Sequence, residues 1–382
     1  MTEMAESLQD ALSVLLEQSV ADGMGSAAAI GWIDVDGRRS VVHTGHTKKW
    51  VGACAPYSLE LGESIGRHAL FDLASLTKPM VTTTLLGQLV ERGVLSLADS
   101  LESRWPVAKG TYLGSLPLKM LLGHASGSIA WRDYFALTRQ YSGAARVAAV
   151  QRAVLAEPHI NASGQLAVYS DLGFLALGWM LEHVLGQSLD KAFAQHVAAP
   201  LGIEHAHFPK DSPSSDHRYV CTEIWKPRDC GEFPLQGVVH DDNCAALGGV
   251  AGHAGLFGCV DDVLSWSVHW LRAICGFEAL SPTAPSTELG RHWVSTAAAP
   301  NTTWRLGFDT PSSEGSSAGE RVHSAAFGHL GFTGTSVWIC PVRRVAVVIL
   351  TNRVHPDREH TQAIRSFRPQ VHDIIWSHFD AH

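Results

Sequence analysis

Hydrophobic residues recur first at helical spacing and then in two strand-like runs. The apolar positions of residues 5–21 fall on one face of an amphipathic helix. The runs 26–35 and 38–46 follow, and Asp36-Gly37 between them is typical of a β-hairpin turn. Residues 47–66 are expected to form a loop. The chain therefore begins with a helix and a pair of strands.

Helical patterns dominate the middle of the chain, whereas the pattern beyond residue 300 is strand-like again. The helices predicted for the middle are 76–92, 117–123, 142–156, 171–184, 188–198 and 261–275. The strands predicted for the final part are 304–308, 321–328, 334–340 and 345–351, and a last helix spans about 357–379. Because strands occur near both ends, we expect both ends to build one sheet.

These elements predict an α+β fold, in which an antiparallel sheet from both chain ends is flanked by helices and a mostly helical domain is inserted. The sheet domain would comprise residues 1–79 and 291–382, and the helical domain residues 80–290. Small-molecule sites are commonly found between two such parts. We therefore expect the active site in the cleft between them.

Composition and charge exclude several classes of protein. Of the 382 residues, 46% are hydrophobic and 17% are charged, so the chain can bury a large core and disorder is excluded. The net charge of −8 argues against a general affinity for nucleic acid or for an anionic membrane. A small-molecule substrate is therefore the expected partner, and the oligomeric state is left open.

The compartment is inferred from three features. No stretch approaches the 18 consecutive apolar residues that suggest a membrane span. The first ten residues contain Glu3, Glu6 and Asp10 instead of the basic and apolar regions of a signal peptide. Seven cysteines without a Cys-x-x-Cys pair fit a reducing environment. We therefore expect a cytoplasmic protein.

The sequence Ser75-Leu76-Thr77-Lys78 is the first candidate for chemistry. A helix that begins at Ser75 places Lys78 one turn further along the same face. Serine becomes a good nucleophile when a neighbouring base takes its proton, and a lysine serves as that base if burial lowers its pKa. A helix start also offers backbone N–H groups to a developing oxyanion. The alternative is a helix-capping serine followed by a surface lysine.

Two other serines match catalytic patterns by chance. Ser188-Leu189-Asp190-Lys191 has the same spacing, but Ser188 is explained as the N-cap of a helix. Ser64 lies in Gly62-Glu63-Ser64-Ile65-Gly66, which matches Gly-x-Ser-x-Gly. A nucleophile elbow needs a strand before the serine and a helix after it, and neither is predicted there. Both serines are expected to be structural.

Further candidates lie in the middle and last parts of the chain. Tyr169 precedes the helix predicted at 171–184 and can pass a proton if a nearby cation such as Lys78 lowers its pKa. His329-Leu330-Gly331-Phe332 leads into a predicted strand, where a glycine permits close approach of a ligand. His253, in a Gly-rich loop, is a candidate for lining the cleft. The 21 histidines show no zinc-binding spacing, so we expect no metal and no cofactor.

The order of these motifs resembles that of the serine β-lactamase and penicillin-binding protein superfamily, and most of all that of the class C β-lactamases and related esterases. The resemblance covers about residues 20–375. It is carried by Phe71 to Lys78, Leu121-Leu122-Gly123-His124-Ala125-Ser126-Gly127, Tyr169-Ser170-Asp171, Pro200 to Ile203, the block from His240 to Gly258, His329-x-Gly331 and Val347 to Arg353.

The resemblance implies a β-lactamase/transpeptidase-like fold and a set of roles. Ser75 would be the acylated nucleophile, Lys78 the base that activates it, and Tyr169 the residue that passes protons to the leaving group. The backbone N–H groups of Ser75 and Phe332 would form the oxyanion hole. The residues expected to bind substrate are Asp171, His329, Gly331, His253 and Arg353.

Two departures from the pattern of that superfamily concern charge near the nucleophile. Asp171 stands where the pattern Tyr-x-Asn has an asparagine, and His329 stands where Lys-Thr-Gly has its lysine. A histidine is cationic only part of the time near neutral pH, so it suits a substrate carboxylate less well than lysine does. With no export signal in view, these departures favour an esterase, amidase or peptidase over an antibiotic-resistance enzyme.

We therefore predict a serine hydrolase that acts on an ester or amide through an acyl-enzyme, of the β-lactamase-like esterase, carboxylesterase or D-peptidase type. The alternative is a catalytically weak or inactive binder of peptidoglycan fragments or acyl ligands on the same fold. Asp171 and Leu330 motivate this alternative. The natural substrate, the leaving group and the response to β-lactams are left open.

Overall fold

The computed structural model describes residues 2–51, 59–209, 216–225, 233–359 and 361–380. The strands are β1 (Ala27–Asp34), β2 (Arg39–Gly45), β3 (Lys49–Val51), β4 (Leu59–Leu61), β5 (Phe71–Asp72), β6 (Ile224–Trp225), β7 (Phe233–Pro234), β8 (Phe257–Gly258), β9 (Phe327–Leu330), β10 (Ser336–Cys340) and β11 (Val345–Thr351).

The α-helices are α1 (Thr2–Ala21), α2 (Thr84–Glu91), α3 (Leu101–Arg104), α4 (Tyr112–Ser115), α5 (Leu118–Leu122), α6 (Tyr134–Leu137), α7 (Gly143–Leu155), α8 (Asp171–Leu185), α9 (Leu189–Phe193), α10 (Asp242–Ala246), α11 (Val260–Cys275), α12 (Thr287–Ser295) and α13 (Gln362–Asp380). Two 3₁₀ segments (Ala74–Leu76 and Pro106–Ala108) and two π-helical segments (Lys78–Thr83 and Ala194–Ala198) complete the helical elements. None of the helices in the described residues is long and apolar enough to span a membrane.

A five-stranded antiparallel sheet in the order β2-β1-β11-β10-β9 forms the centre of the molecule. Strands β1 and β2 come from the beginning of the chain and β9 to β11 from its end, and Ile30 of β1 pairs with Ile349 of β11. The predicted α+β fold with a sheet from both chain ends is thus confirmed. The division into domains at residues 79 and 290 stays a prediction.

Helices cover both faces of this sheet. All seven residues of β11 are buried, as expected for a central strand that packs on both sides. Helices α1 and α13 cover one face, where Trp376 and Phe367 pack on β10 and β11. Helix α11 packs on the other face and joins it to the core of the helical part of the chain. The sheet is therefore held between two apolar layers.

The side chain of Asn352 joins the end of β11 to two other parts of the chain. It accepts hydrogen bonds from the backbone N–H groups of Ser26 and Ala27, both at 3.0 Å. Its amide donates to the carbonyl of Cys221 and to the Ser26 hydroxyl, both at 2.8 Å. Asn352 is buried, so these bonds fix the end of β11, after which the chain continues with Arg353.

Some predicted elements differ from the structure. The segment 304–308 is not a strand: Leu306 and Phe308 alternate because both are buried in the core, and a single bridge joins Asp309 to Gly328. The predicted strand 321–328 begins only at Phe327. Strands β3 and β4 pair within the predicted loop 47–66, of which residues 52–58 lie outside the described residues.

Candidate active site

Ser75 lies on the wall of a cleft, in the 3₁₀ turn that follows β5. Ala74 has a φ of 49°, an unusual conformation for a residue with a side chain, and its N–H donates to the Asp72 carboxylate at 2.8 Å. The predicted helix 76–92 is a 3₁₀ turn, a π-helical segment and then α2. In a 3₁₀ turn, side chains three residues apart lie in line. This geometry places Lys78 beside Ser75.

The ammonium group of Lys78 is fully buried and makes three hydrogen bonds. Its Nζ donates to Ser75 Oγ at 3.2 Å, to Asp171 Oδ1 at 2.7 Å and to the carbonyl of His253 at 3.1 Å. Burial alone would lower the pKa of Lys78, but the contacts with the Asp171 carboxylate and with Tyr169 together outweigh burial, and the pKa is raised. Lys78 is therefore protonated at neutral pH, and burial does not make it a free base as the sequence reasoning required.

Tyr169 completes the contacts of the Ser75 hydroxyl. Its phenol donates to Ser75 Oγ at 2.8 Å, and the Lys78 ammonium lies 4.8 Å from the centre of its ring. Burial raises the pKa of Tyr169 although Lys78 opposes the shift, so the phenol is neutral. The ring packs against His124 and Trp304, with centroids 4.6 and 4.9 Å away. Ser75, Lys78 and Tyr169 thus come together as predicted by sequence.

The segment before α8 is anchored to the loop after α5, which positions Tyr169 and Asp171. His124 Nδ1 accepts a hydrogen bond from the N–H of Ser170 at 3.1 Å. The Ser170 hydroxyl donates to the carbonyl of Ile129 at 2.7 Å. Ser170 is the N-cap of α8, so Asp171 begins the helix and its carboxylate points back at Lys78.

The loop between β9 and β10 is tied to the segment that precedes Ser75. Thr333 donates to the carbonyl of Asp72 at 2.7 Å, and Thr335 donates to that of Leu73 at 3.0 Å. A Cβ at Gly331 would lie 2.0 Å from Thr335 Oγ1, so only glycine fits there. In the part of the chain that the structure describes, the N–H groups of Ser75 and Phe332 donate to no protein acceptor.

The cleft has a volume of about 1020 Å³ and contains residues from both parts of the molecule. Ser75, Tyr169 and Asp171 lie on its wall together with His329, Gly331, Phe332 and Arg353. The rings of Trp131 and Trp304 line it too, whereas Arg353, Arg365 and Arg368 form a cationic region. Most of the site residues expected from sequence therefore share one cavity.

Two of the expected substrate-binding residues differ from expectation. His253 is buried behind Lys78, where its Nε2 is 3.0 Å from Asp241, and its ring does not line the cleft. His329 lines the cleft, but burial and the nearby Lys78 ammonium lower its pKa to about 3. Its Nδ1 donates to the carbonyl of Leu330 at 2.7 Å, and its Nε2 has no partner among the described residues. His329 is therefore a neutral hydrogen-bond acceptor and not a partly charged cation.

One group of side chains has the composition of a metal site. Donor atoms of Asp171, Asp241 and His253 lie within 4.8 Å of one another. The Lys78 ammonium already pairs with Asp171, and the His253 ring already contacts Asp241. A fixed ammonium beside these ligands repels a metal cation, so the group is better explained as the polar surroundings of Lys78.

The two chance matches lie elsewhere. Ser188 is the N-cap residue of α9, as expected, although its side chain makes no capping hydrogen bond. Ser64 is exposed and forms an isolated bridge with His46, without a helix after it.

Sequence reasoning missed several residues of the cleft. Trp131 and Trp304 stand in segments without a motif, and no local pattern indicates their role. Arg365 and Arg368 are three residues apart on α13 and thus share one helical face. This spacing could have indicated that both side chains face the same part of the molecule. Asp241 was noted only as part of a motif.

Comparisons with known proteins agree with the fold. The Beta-lactamase family model matches residues 16–368. An N-acetylmuramyl-L-alanine amidase of Bacillus subtilis (strain 168) is 28% identical over 374 residues, which covers 89% of this chain and 80% of the relative.

Two solved structures share the fold at low identity. A class C β-lactamase has a TM-score of 0.71 at 16% identity and covers 97% of this chain and 96% of its own. EstCE1, a hydrolase with promiscuous acyltransferase activity, has a TM-score of 0.70 at 19% identity and covers 97% and 99%. Because the family model spans most of the chain, this protein belongs to the β-lactamase family and is a hydrolase of the serine β-lactamase and penicillin-binding-protein type.

Proposed function

We propose that this hydrolase cleaves an ester or amide through an acyl-enzyme formed on Ser75. The observation that carries the proposal is the double contact of the Ser75 hydroxyl, 3.2 Å from Lys78 Nζ and 2.8 Å from the Tyr169 phenol, on the wall of a large cleft. In this position the Ser75 hydroxyl is accessible to a substrate in the cleft and is also in contact with groups that can transfer its proton.

The first proton transfer involves the ion pair of Lys78 and Asp171. Lys78 passes one proton to the Asp171 carboxylate, which lies 2.7 Å away, and its neutral amine then accepts the proton of Ser75. The Ser75 oxygen forms a bond to the acyl carbon, and the negative charge moves to the carbonyl oxygen. Burial of Lys78 favours this exchange, because it converts a buried ammonium and a partly buried carboxylate into two neutral groups.

The next steps use Tyr169 and two backbone N–H groups. The free N–H groups of Ser75 and Phe332 stabilise the carbonyl oxyanion, a contribution of about 3 kcal/mol for each donor. Tyr169 gives its proton to the leaving group as the bond to the acyl carbon breaks. Lys78 then gives a proton to Tyr169. A water molecule then attacks the acyl carbon, its proton passes through Tyr169 to the departing Ser75 oxygen as the ester bond breaks, and Asp171 returns its proton to Lys78.

The substrate is an ester or an amide. The Bacillus subtilis relative is named an amidase, and one neighbour in fold is named a hydrolase with acyltransferase activity. Trp131 and Trp304 on the cleft wall favour a substrate with an apolar part.

Labelling and turnover test the nucleophile. A fluorophosphonate should label the protein once, at Ser75, and nitrophenyl esters should be hydrolysed. Ser75→Ala should abolish both reactions, whereas Ser188→Ala, the same change in the second Ser-x-x-Lys sequence, should leave both intact. Full turnover by Ser75→Ala would refute the proposal.

The second candidate function is binding without turnover, and the ion pair between Lys78 and Asp171 favours it. The pair keeps the ammonium protonated, so Ser75 contacts two donors and no base in the ground state. This candidate predicts saturable binding of acyl ligands by the wild type with no release of product. Turnover that disappears in Lys78→Ala would exclude it.

A further inference from the structure

His124 holds the backbone on both sides of Tyr169. Its carbonyl accepts a hydrogen bond from the N–H of Val168 at 2.8 Å, and its Nδ1 accepts one from the N–H of Ser170 at 3.1 Å. Val168 and Ser170 are the two chain neighbours of Tyr169. A single residue from the loop after α5 therefore fixes the peptide segment that carries the phenol.

The imidazole ring of His124 also supports the phenol ring itself. Its centroid lies 4.6 Å from that of the Tyr169 ring and 4.6 Å from that of the Trp304 ring. The rings of Tyr169 and Trp304 stack on each other at 4.9 Å. His124 is only 2% exposed and is not among the residues that line the cleft. It therefore contacts Tyr169 without touching a substrate.

The backbone of His124 adopts an uncommon conformation. Its φ is 54°, in the left-handed region that residues with a side chain rarely adopt. His124 follows Gly123 at the end of α5, and its N–H donates to the carbonyl of Leu121 at 3.2 Å. Such a conformation is costly and persists where the surrounding contacts over-determine it. The hydrogen bonds and ring contacts of His124 hold it in this conformation.

The hydrogen bond from Ser170 requires a neutral imidazole. A protonated ring carries N–H donors at both nitrogens, so it could not accept the Ser170 N–H. Burial, the Lys78 ammonium and His329 hold the pKa of His124 well below its usual range. Nδ1 of His124 therefore remains an acceptor at neutral pH, and the Tyr169 segment stays fixed there.

We propose that His124 is a positioning residue for proton transfer from Tyr169 to the leaving group, an inference that rests on the proposed acyl hydrolase function. A general acid is effective only within hydrogen-bond reach of the atom that it protonates. Amides and esters of ordinary alcohols have basic leaving groups that need this proton, whereas a nitrophenolate departs without it. His124 thus determines how well poor leaving groups are cleaved.

The test compares two esters that share an acyl group and differ in the leaving group. The value of kcat/KM is measured with 4-methylphenyl acetate, which has the more basic leaving group, and with 4-nitrophenyl acetate. This value covers the steps up to departure of the phenol, and hydrolysis of the acetyl-enzyme is common to both esters. We call the first value divided by the second the leaving-group ratio. General damage to the active site lowers both values and leaves this ratio unchanged.

Two variants of His124 disturb different contacts. His124→Phe keeps an aromatic ring but removes the acceptor for Ser170, and it should lower the leaving-group ratio about ten-fold or more. His124→Asn keeps an acceptor at the same position and suits a positive φ, but it loses the ring beside Tyr169. It should lower the ratio about three-fold or more, because a small misplacement of a reacting group is costly.

Two further variants identify the source of the effect. His269→Phe is the matched control, because His269 is also buried and its Nε2 contacts one backbone carbonyl, that of Leu201 at 3.3 Å. This control should keep the full leaving-group ratio. In Tyr169→Phe the phenol is absent, so adding His124→Phe to it should lower the ratio no further.

Two results overturn the proposal. One is an unchanged leaving-group ratio in His124→Phe, and the other is a ratio that falls equally when His124→Phe is added to Tyr169→Phe. Thermal unfolding checks that each variant is folded, and if His124→Phe is not, an unchanged ratio in His124→Asn overturns the proposal instead. Hydrolysis of neither ester by the wild type would refute the hydrolase proposal together with this inference, whereas hydrolysis with an unchanged ratio would refute the inference alone.

Discussion

The ion pair between Lys78 and Asp171 predicts an unusual pH dependence, which Asp171→Asn tests. The two charges are 2.7 Å apart, and Lys78 is fully buried. At an effective dielectric constant of about 20, their attraction is about 6 kcal/mol and favours the protonated form of Lys78. With an amide at position 171, burial is opposed only by the contacts with Tyr169, so the pKa of Lys78 should fall below the ordinary lysine value.

The measurement is the rate of fluorophosphonate inactivation, or of nitrophenyl ester acylation, between pH 5 and 10. In the wild type the rate should depend little on pH through Lys78, because Lys78 holds its proton and releases it only to Asp171, within the site. In Asp171→Asn the rate should instead rise with pH, because the proton of Lys78 must then be lost to solvent. Asp242→Asn is the matched control, because Asp242 lines the same cleft but pairs with Arg358.

The pH profiles of wild type and Asp171→Asn would coincide if the protonation of Lys78 did not depend on Asp171, and that result would refute the reasoning.

The pH dependence of stability provides a second test. The depressed pKa of Lys78 in Asp171→Asn means that the unfolded chain binds the extra proton, so the stability of this variant should increase with pH between about 7 and 10. The wild type, with a raised Lys78 pKa, should show no such increase from this residue.

Three further changes have defined outcomes. Gly331→Ala should abolish esterase activity and lower the melting temperature, because its Cβ would lie 2.0 Å from Thr335 Oγ1 and 2.8 Å from the Leu73 carbonyl. Asn352→Ala should reduce the free energy of unfolding in urea by at least about 2 kcal/mol, because it leaves two buried N–H groups without their acceptor. His329→Asn should lose less stability than the wild type between pH 7 and pH 4.5. In that interval the unfolded wild-type chain takes up a proton at His329, whereas the folded chain, in which the pKa of His329 is about 3, does not. Urea unfolding at both pH values checks the last prediction, and equal losses in the two proteins would contradict it.

Helices and strands whose buried residues repeat at a regular short spacing could be predicted from the sequence. Helix α1 and strands β1, β2, β10 and β11 lie within a few residues of their predicted ranges, because one buried face repeats every 3.6 or 2 residues. The segment 304–308 shows the limit of this reasoning. Leu306 and Phe308 are both buried because they pack on the core, and this packing alone produces the alternating pattern. A strand also needs backbone pairing with a neighbour, which this segment lacks.

The residues of the candidate site were predictable, but their electrostatic state was not. Ser75 and Lys78 are three positions apart, and Tyr169 was found through the order of motifs. The ion pair between Lys78 and Asp171 spans 93 positions, and its effect on the pKa depends on burial. Arg353 shares the cleft with Arg365 and Arg368 only after α13 has packed on the sheet, so no local pattern reveals this group.

The two departures from the resembled superfamily change a single electrostatic arrangement. Asp171 in place of asparagine adds one negative charge, and neutral His329 in place of lysine removes one positive charge, so the surroundings of Ser75 are more negative by two charges. A second cation at position 329 would lower the pKa of Lys78 by repulsion, and neutral His329 cannot do so. Proton exchange with Asp171 is the remaining way for Lys78 to become a base.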